Sequence, residues 1–209
     1  MNHDTCKTCR RLRQKLFLKG EKCLSPKCSM VTRPYPPGRQ KKGGRFRVSE
    51  YGKELAEKQK LKKYYGLKEK QFRNCIKDVF QMRGGEEDAA LILIRKLEKR
   101  LDNTVFRLGF ARSRREAREL VSHRHFLVNS KPVNIPSFVV KKDDIIAVKE
   151  TKKKKIFFKN LSMLIKNYQP PEWLKLNKDK MEGEVTGEPS LEALDSPVDI
   201  PSIFEFYSR

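Results

Sequence analysis

The chain has 209 residues, with 48 Lys and Arg against 26 Asp and Glu, a formal net charge of +22, and 37% hydrophobic residues. The hydrophobic share is below the roughly 45–50% of an ordinary globular domain, so one or two modest cores with long basic extensions are expected, and the excess of cations makes a polyanion the first candidate partner. No apolar run approaches the roughly 18 residues of a membrane span, and the opening MNHDTCKTCR lacks the apolar stretch of a signal peptide; a soluble, cytoplasmic protein with no membrane role is expected.

The charge is uneven: +11 over residues 1–45, +5 over 46–86, +11 over 87–166 and −5 over 167–209. Two separated basic blocks suggest a bipartite contact with an extended polyanion. Residues 1–45 hold four cysteines, the Pro-rich stretch 33–38 and the run Arg39–Arg45, a composition that cannot build an ordinary core. A helix is predicted from the N-cap Ser49 to Gly66, carrying Leu55, Leu61, Tyr64 and Tyr65. A second carries Phe72, Cys75, Ile76, Val79 and Phe80 and stops at Gly84 and Gly85. A third runs from about Glu87 through Leu97.

After Leu101 a short helix capped by Asp102 is predicted to end at Gly109. Ser113 stands three residues before Glu116, a capping box, so a helix should start there and bury Ala117, Leu120 and Val121. Short strands follow at Phe126–Val128, Val133–Ile135, Phe138–Val140 and Ile145–Val148, with turns at 129–131 and 141–144. Lys152 to Lys155 read equally as a solvated linker or as phosphate contacts. Phe157–Ile165 reads as a short return helix, and the acidic tail as loops ending in a strand, Ile203–Tyr207, packed back on the earlier helices.

The cysteines fit metal chemistry better than disulfides in a reducing compartment. Cys6 and Cys9 form C-x2-C, and Cys23 and Cys28 form C-x4-C after a thirteen-residue spacer. Each close pair supplies two ligands from one turn and the spacer returns the second pair, so four thiolates can close a tetrahedron on one structural Zn2+ with no open catalytic position. The neighbouring cations are expected to lower the thiol pKa values. The bland alternatives are four free thiols, or His3 in place of one of them; Cys75 reads as a core residue.

On the helix after Ser113, Arg114, Arg115 and Arg118 cluster within a turn and a half, with Arg114 and Arg118 on one face. Arginine's planar fork grips phosphate bidentately and stacks on bases, and the helix N-terminus adds partial positive charge.

The stretch from Arg100 to Val148 resembles the S4 RNA-binding domain, a module of two helices and a small sheet. VSEYGKELAEKQKLKKYYGLKEKQFRN, PYPPG, the cysteine-bearing opening and the terminal EFYSR are similar to the bacterial small-subunit ribosomal protein S4 family in its zinc-binding form. The resemblance implies an α+β protein: a zinc-bound basic arm (1–45), a mainly helical discontinuous domain (46–98 and 161–209), and an inserted RNA-binding module (99–160). It implies a non-enzymatic structural role in the small ribosomal subunit, as a primary binder of 16S rRNA that nucleates the 5′ domain, next to ribosomal protein S5 and the mRNA entry channel, with an influence on translational accuracy. It places Arg10, Arg11, Arg13, Lys15, Arg33, Tyr35, Arg39, Lys41, Lys42, Arg45 and Arg47 in the RNA-binding arm, and Arg100, Arg107, Arg112, Ser113, Arg114, Arg115, Arg118, His123 and Lys131 on the RNA-facing side of the module. His123 also reads as a helix cap, Tyr35 as packing on Pro36, and Tyr51, Tyr64 and Tyr65 as core.

Two other classes compete: an RNA-modifying enzyme carrying the same module, and a zinc-dependent DNA-binding regulator. The first lacks a Gly-rich phosphate loop, a nucleophile with a positioned base, or an open metal site, so no small-molecule substrate is expected. The second lacks C2H2 spacing and a recognition helix between the cysteine pairs.

Overall fold

The computed structural model describes residues 4–38, 48–82, 88–153, 157–158, 161, 165, 167–190 and 198–208. The chain divides into two compact units, Met1–Gly85 with Ser196–Arg209, and Glu86–Asp195. The boundaries expected from the sequence are 45/46, 98/99 and 160/161. None of the described helices is long and apolar enough to cross a membrane.

In the first unit, α1 (Asp4–Leu12), α2 (Glu21–Leu24) and α3 (Ser29–Thr32) make up the cysteine-bearing segment. Helix α4 (Glu50–Tyr64) starts where the sequence places it, the Ser49 hydroxyl accepting the Gly52 amide at 3.2 Å. α5 (Glu69–Gln81) buries Phe72, Ile76 and Val79 at helical spacing. The predicted stop at Gly84 and Gly85 lies outside the described residues. Tyr64 and Tyr65 are buried and Tyr51 is exposed.

The expected terminal strand is a helix, α10 (Ile200–Ser208). An apolar run such as IFEFY fits either period; packing decides, because Ile200, Ile203 and Phe204 fall on one buried helical face. α10 lies along α4. Its aromatics meet Tyr51 (Phe206, ring centroids 5.4 Å apart), Phe72 (Tyr207, 6.2 Å) and Phe80 (Phe204, 5.6 Å).

The second unit opens with α6 (Ala89–Glu98), whose N-cap Asp88 accepts the Ala90 amide at 3.0 Å. α7 (Leu101–Arg107) and α8 (Arg114–Ser122) follow. Asp102 does not cap α7: the N-cap is Arg100, and Asp102 sits in the first turn with its carboxylate engaged by arginines. Five antiparallel strands form a sheet in the order β2-β1-β3-β5-β4, with β1 Phe126–Val128, β2 Lys131–Val133, β3 Ile145–Val148, β4 Leu174–Asn177 and β5 Glu182–Val185.

β1 and β3 match the predicted strands. β2 begins two residues early because Asn129 and Ser130, both at positive φ, close a two-residue turn that sets Val128 opposite Lys131. The predicted strand at 138–140 reduces to a single bridge between Val139 and Arg100. β4 and β5, read from the sequence as loop, complete the sheet. Gly183 of β5 lies so close to α7 and its C-cap that a Cβ there would stand 2.4 Å from Leu108 Cδ1 and Cδ2.

Leu101, Val105, Leu108, Ala117, Val121, Phe126, Ile146, Val148 and Val185 share this unit's core, joined by Phe158, Leu161 and Ile165 from the predicted return helix. Lys152 and Lys153 lie in the short helix α9 (Glu150–Lys153), with Lys153 Nζ donating to the Lys180 carbonyl at 2.7 Å. Lys154 and Lys155 lie outside the described residues.

Candidate nucleic-acid interface

The capping signal builds the start of α8. Ser113 Oγ accepts the Glu116 amide at 3.3 Å, and the Glu116 carboxylate reaches back to the Arg112 amide at 2.8 Å and to the Arg112 guanidinium at 2.8 Å. Ala117 and Val121 are buried, and Arg114 and Arg118 are half-buried beside them. Arg115 is exposed, with a 3.4 Å contact to Glu119 one turn on. Arg114 Nε donates to Asn103 Oδ1 at 2.7 Å, and its guanidinium lies 4.5 Å from the centroid of the Phe106 ring. Arg118 donates from Nε (3.1 Å) and Nη2 (3.0 Å) to Asp102 Oδ2. Helix α7 thus supplies an acceptor or a ring for two of the three arginines.

Beneath this face lie two ion pairs. Arg107 donates bidentately to Glu98 at 3.0 and 3.0 Å, and Arg100 bidentately to Asp102 at 3.1 and 2.9 Å; all four residues are buried. Arg100 and Arg107, placed on the RNA-facing side by the resemblance, are therefore interior here. Their forks fix the two carboxylates, and Asp102 in turn aims Arg118. His123 is exposed at the C-cap of α8, its amide donating to the Glu119 and Val121 carbonyls, with its ring edge-on to His125 at 6.5 Å. Lys131 is exposed on the edge strand β2.

In the arm, Arg11, Arg13 and Arg33 are exposed and Lys15 is half-buried. Arg10 Nε donates to the Tyr35 carbonyl at 2.9 Å and its guanidinium lies 4.9 Å from the Tyr35 ring centroid, so Tyr35 packs on an arginine and keeps 46% of its surface exposed. Arg39, Lys41, Lys42, Arg45 and Arg47 lie outside the described residues, as does His3.

Cys6 and Cys9 come from α1, Cys23 from α2, and Cys28 is the N-cap of α3; all four line one small cavity. Cys9, Cys23 and Cys28 are buried. As placed, no group of three or more His, Cys, Asp or Glu among the described residues is arranged to hold a metal ion. Burial pushes the Cys9 and Cys23 thiols up from their ordinary value and the neighbouring cysteines add to this; the Leu16 and Lys19 amides, hydrogen-bonded to Cys9 and Cys23, pull the other way. The expected lowering by nearby cations is reversed at these two residues, because desolvation outweighs a single weak contribution, from Lys15 to Cys23. The donor set fits zinc: four sulfurs on one cavity, two already receiving N–H bonds of the kind that stabilise a thiolate.

Sequence reasoning missed Glu98 and Asn103, whose role depends on burial. Nothing local marks either of them.

A small helix pair presenting arginines beside an antiparallel sheet defines an S4-type RNA-binding module. Family models agree, the S4 domain matching residues 99–146 and the ribosomal protein S4/S9 N-terminal domain residues 1–98. The small ribosomal subunit protein uS4 of Syntrophomonas wolfei is 46% identical over 206 residues, covering 99% of this chain and 97% of the relative. That of Thermoanaerobacter sp. strain X514 is 46% identical over 207 residues (98% and 97%), and that of Halothermothrix orenii 45% over 204 (98% and 96%). The chain belongs to the ribosomal protein uS4 family, a family of structural proteins rather than enzymes.

Proposed function

We propose that the chain is a structural component of the small ribosomal subunit in the cytoplasm, where it binds 16S rRNA and nucleates folding of the 5′ domain. The observation that carries this reading is the cluster of arginines at the start of α8: Arg112 and Arg115 are exposed, and Arg112, Arg114 and Arg118 are held in direction by Glu116, Asn103 and Asp102. Forks fixed in advance lose little freedom when they meet phosphate. Binding draws on phosphate neutralisation and counterion release, so it weakens steeply with salt. Selectivity comes from the shape of a folded RNA, since A-form helices hide their major-groove edges.

The basic arm supplies a second set of phosphate contacts, with Arg10, Arg11, Arg13, Lys15 and Arg33 among them. Cys6, Cys9, Cys23 and Cys28 hold one zinc ion, which supplies folding free energy to a segment too polar to build a core. Ribosomal protein S5 and mRNA at the entry channel are the neighbouring partners that the family resemblance suggests.

The test is filter binding of the full chain to a 5′-domain transcript of 16S rRNA, against duplex DNA of matched charge, across a salt titration. Preferential binding of the transcript at every salt concentration is expected. Equal affinity for both nucleic acids defeats the reading.

A further inference from the structure

Between the two cysteine pairs, Phe17 is held in an unusual way. It is 47% exposed and has φ 50°, a left-handed conformation that a bulky side chain rarely adopts. The surrounding loop enforces it. Leu16, 1% exposed, anchors one side, and its amide bonds Cys9; on the other side the Lys19 amide donates to Cys23 Sγ at 3.3 Å. With its two flanks tied to the two halves of the cysteine cluster, the chain turns the Phe17 ring outward. Strain that the surroundings over-determine in this way clusters at functional sites.

The Lys15 ammonium lies 5.1 Å from the Phe17 ring centroid, leaving much of the ring exposed. Tyr35, also in the arm, has the same arrangement, an exposed ring with the Arg10 guanidinium beside it. From Thr5 to Gly20 there are six Lys or Arg and no acid, which selects a polyanion over an ordinary protein surface as the partner. An exposed aromatic among cations is the device by which proteins stack unpaired bases while the cations follow the backbone.

We propose that Phe17 is a stacking platform for an unpaired nucleobase of the bound RNA, with Lys15 on the adjoining phosphate. The inference rests on the RNA-binding reading above and adds a single-stranded element to it. Phe has no hydrogen-bonding group, so the platform accepts any base.

The experiment uses the full zinc-loaded chain and the 5′-domain 16S rRNA transcript. Phe17→Asn removes the ring but suits the left-handed backbone, so thermal stability is expected to hold or rise. Affinity is expected to fall about tenfold, the loss of one stacked base, while Phe17→Trp stays within about threefold of the parent. The salt slope stays unchanged in both, because no phosphate contact is lost, and the emission that Phe17→Trp adds to that of Trp173 is quenched on adding RNA, beyond any change in the parent. Parental affinity in Phe17→Asn overturns the proposal, including the case in which the variant binds RNA normally but fails to enter ribosomal particles, which would assign Phe17 to a protein neighbour. A weaker Phe17→Asn that is also less stable overturns it too, because the ring would then serve the fold. If the parent prefers the transcript to duplex DNA and Phe17→Asn matches it, the platform alone fails; if the parent shows no preference, the RNA reading fails with it.

Discussion

Asn103 accepts Arg114 Nε–H through its side-chain oxygen at 2.7 Å, while its amide nitrogen donates to Glu98 Oε2 at 2.6 Å. Only the oxygen can accept and only the nitrogen can donate, so the two bonds fix the amide's orientation. A buried carboxylate thereby sets the aim of a half-buried guanidinium through one intermediate, itself 2% exposed.

Asn103→Ala takes the acceptor from Arg114 and leaves Glu98 to Arg107. Losing these buried hydrogen bonds should cost about 1–3 kcal/mol of stability, read by urea denaturation. Affinity for the 5′-domain transcript should fall as well, because Arg114 regains rotamer freedom that binding must then remove. Parental affinity in a folded Asn103→Ala variant would separate Arg114's aim from its use.

Glu69 ties α10 to α4. Its carboxylate receives Lys58 Nζ at 2.7 Å, Lys62 Nζ at 2.6 Å and the Tyr207 hydroxyl at 3.1 Å. Partial burial raises its pKa, but the bonds from Lys58, Lys62 and Tyr207 together prevail and bring it from 4.5 down to about 2. With the folded value depressed, the stabilisation is fully present above the ordinary pKa and is lost as pH falls from about 4.5 through about 2. Because Glu69 is 47% exposed, solvent screening keeps the contribution to about 1 kcal/mol. Glu69→Gln should lower the midpoint of thermal unfolding at neutral pH and flatten its decline in that acid window; a parallel curve would contradict the assignment.

Arg115 is the most detached of the α8 arginines, 58% exposed and meeting only Glu119 among the contacts described here. Arg115→Ala should leave stability within about 0.5 kcal/mol of the parent. It should also lower the slope of log affinity against log salt by about one, the signature of one lost phosphate contact. An unchanged slope would remove Arg115 from the interface.

Zinc binding needs thiolates, and burial raises the Cys9 and Cys23 thiols, favouring their protonated form. Zinc uptake should therefore release protons, measurable with a weakly buffered indicator, and zinc affinity should fall as pH is lowered. Cys23→Ser should abolish stoichiometric binding, whereas Cys75→Ser, on α5 and outside the cysteine cavity, should leave both zinc content and proton release unchanged.

How much could be read from the sequence depended on how local each feature is. The α8 start was legible because the Ser113–Glu116 signal spans one turn, and β1 and β3 because each is a short unbroken apolar run bounded by turn residues. β4 and β5 were not: Gly183 looks like a strand breaker until Leu108, 75 positions earlier, fills the space where its side chain would be. Arg100 and Arg107 look like the other cations in one dimension; only folding brings Asp102 and Glu98 against them. The four cysteines were legible through their spacing, whereas their raised thiol pKa values follow from burial, which spacing does not encode.

The strand order also affects how the second unit forms as the chain is made. β3 lies in the middle of the sheet, yet β5, its partner on one side, comes more than thirty residues later. A nascent chain that has emerged only to residue 150 carries α7, α8, β1, β2 and β3, but β3 is then an open edge and the contact between Leu108 and Gly183 is unmade. Such an edge is a template for pairing with another chain. The β3 edge is covered only when residues 174–185 have been synthesised.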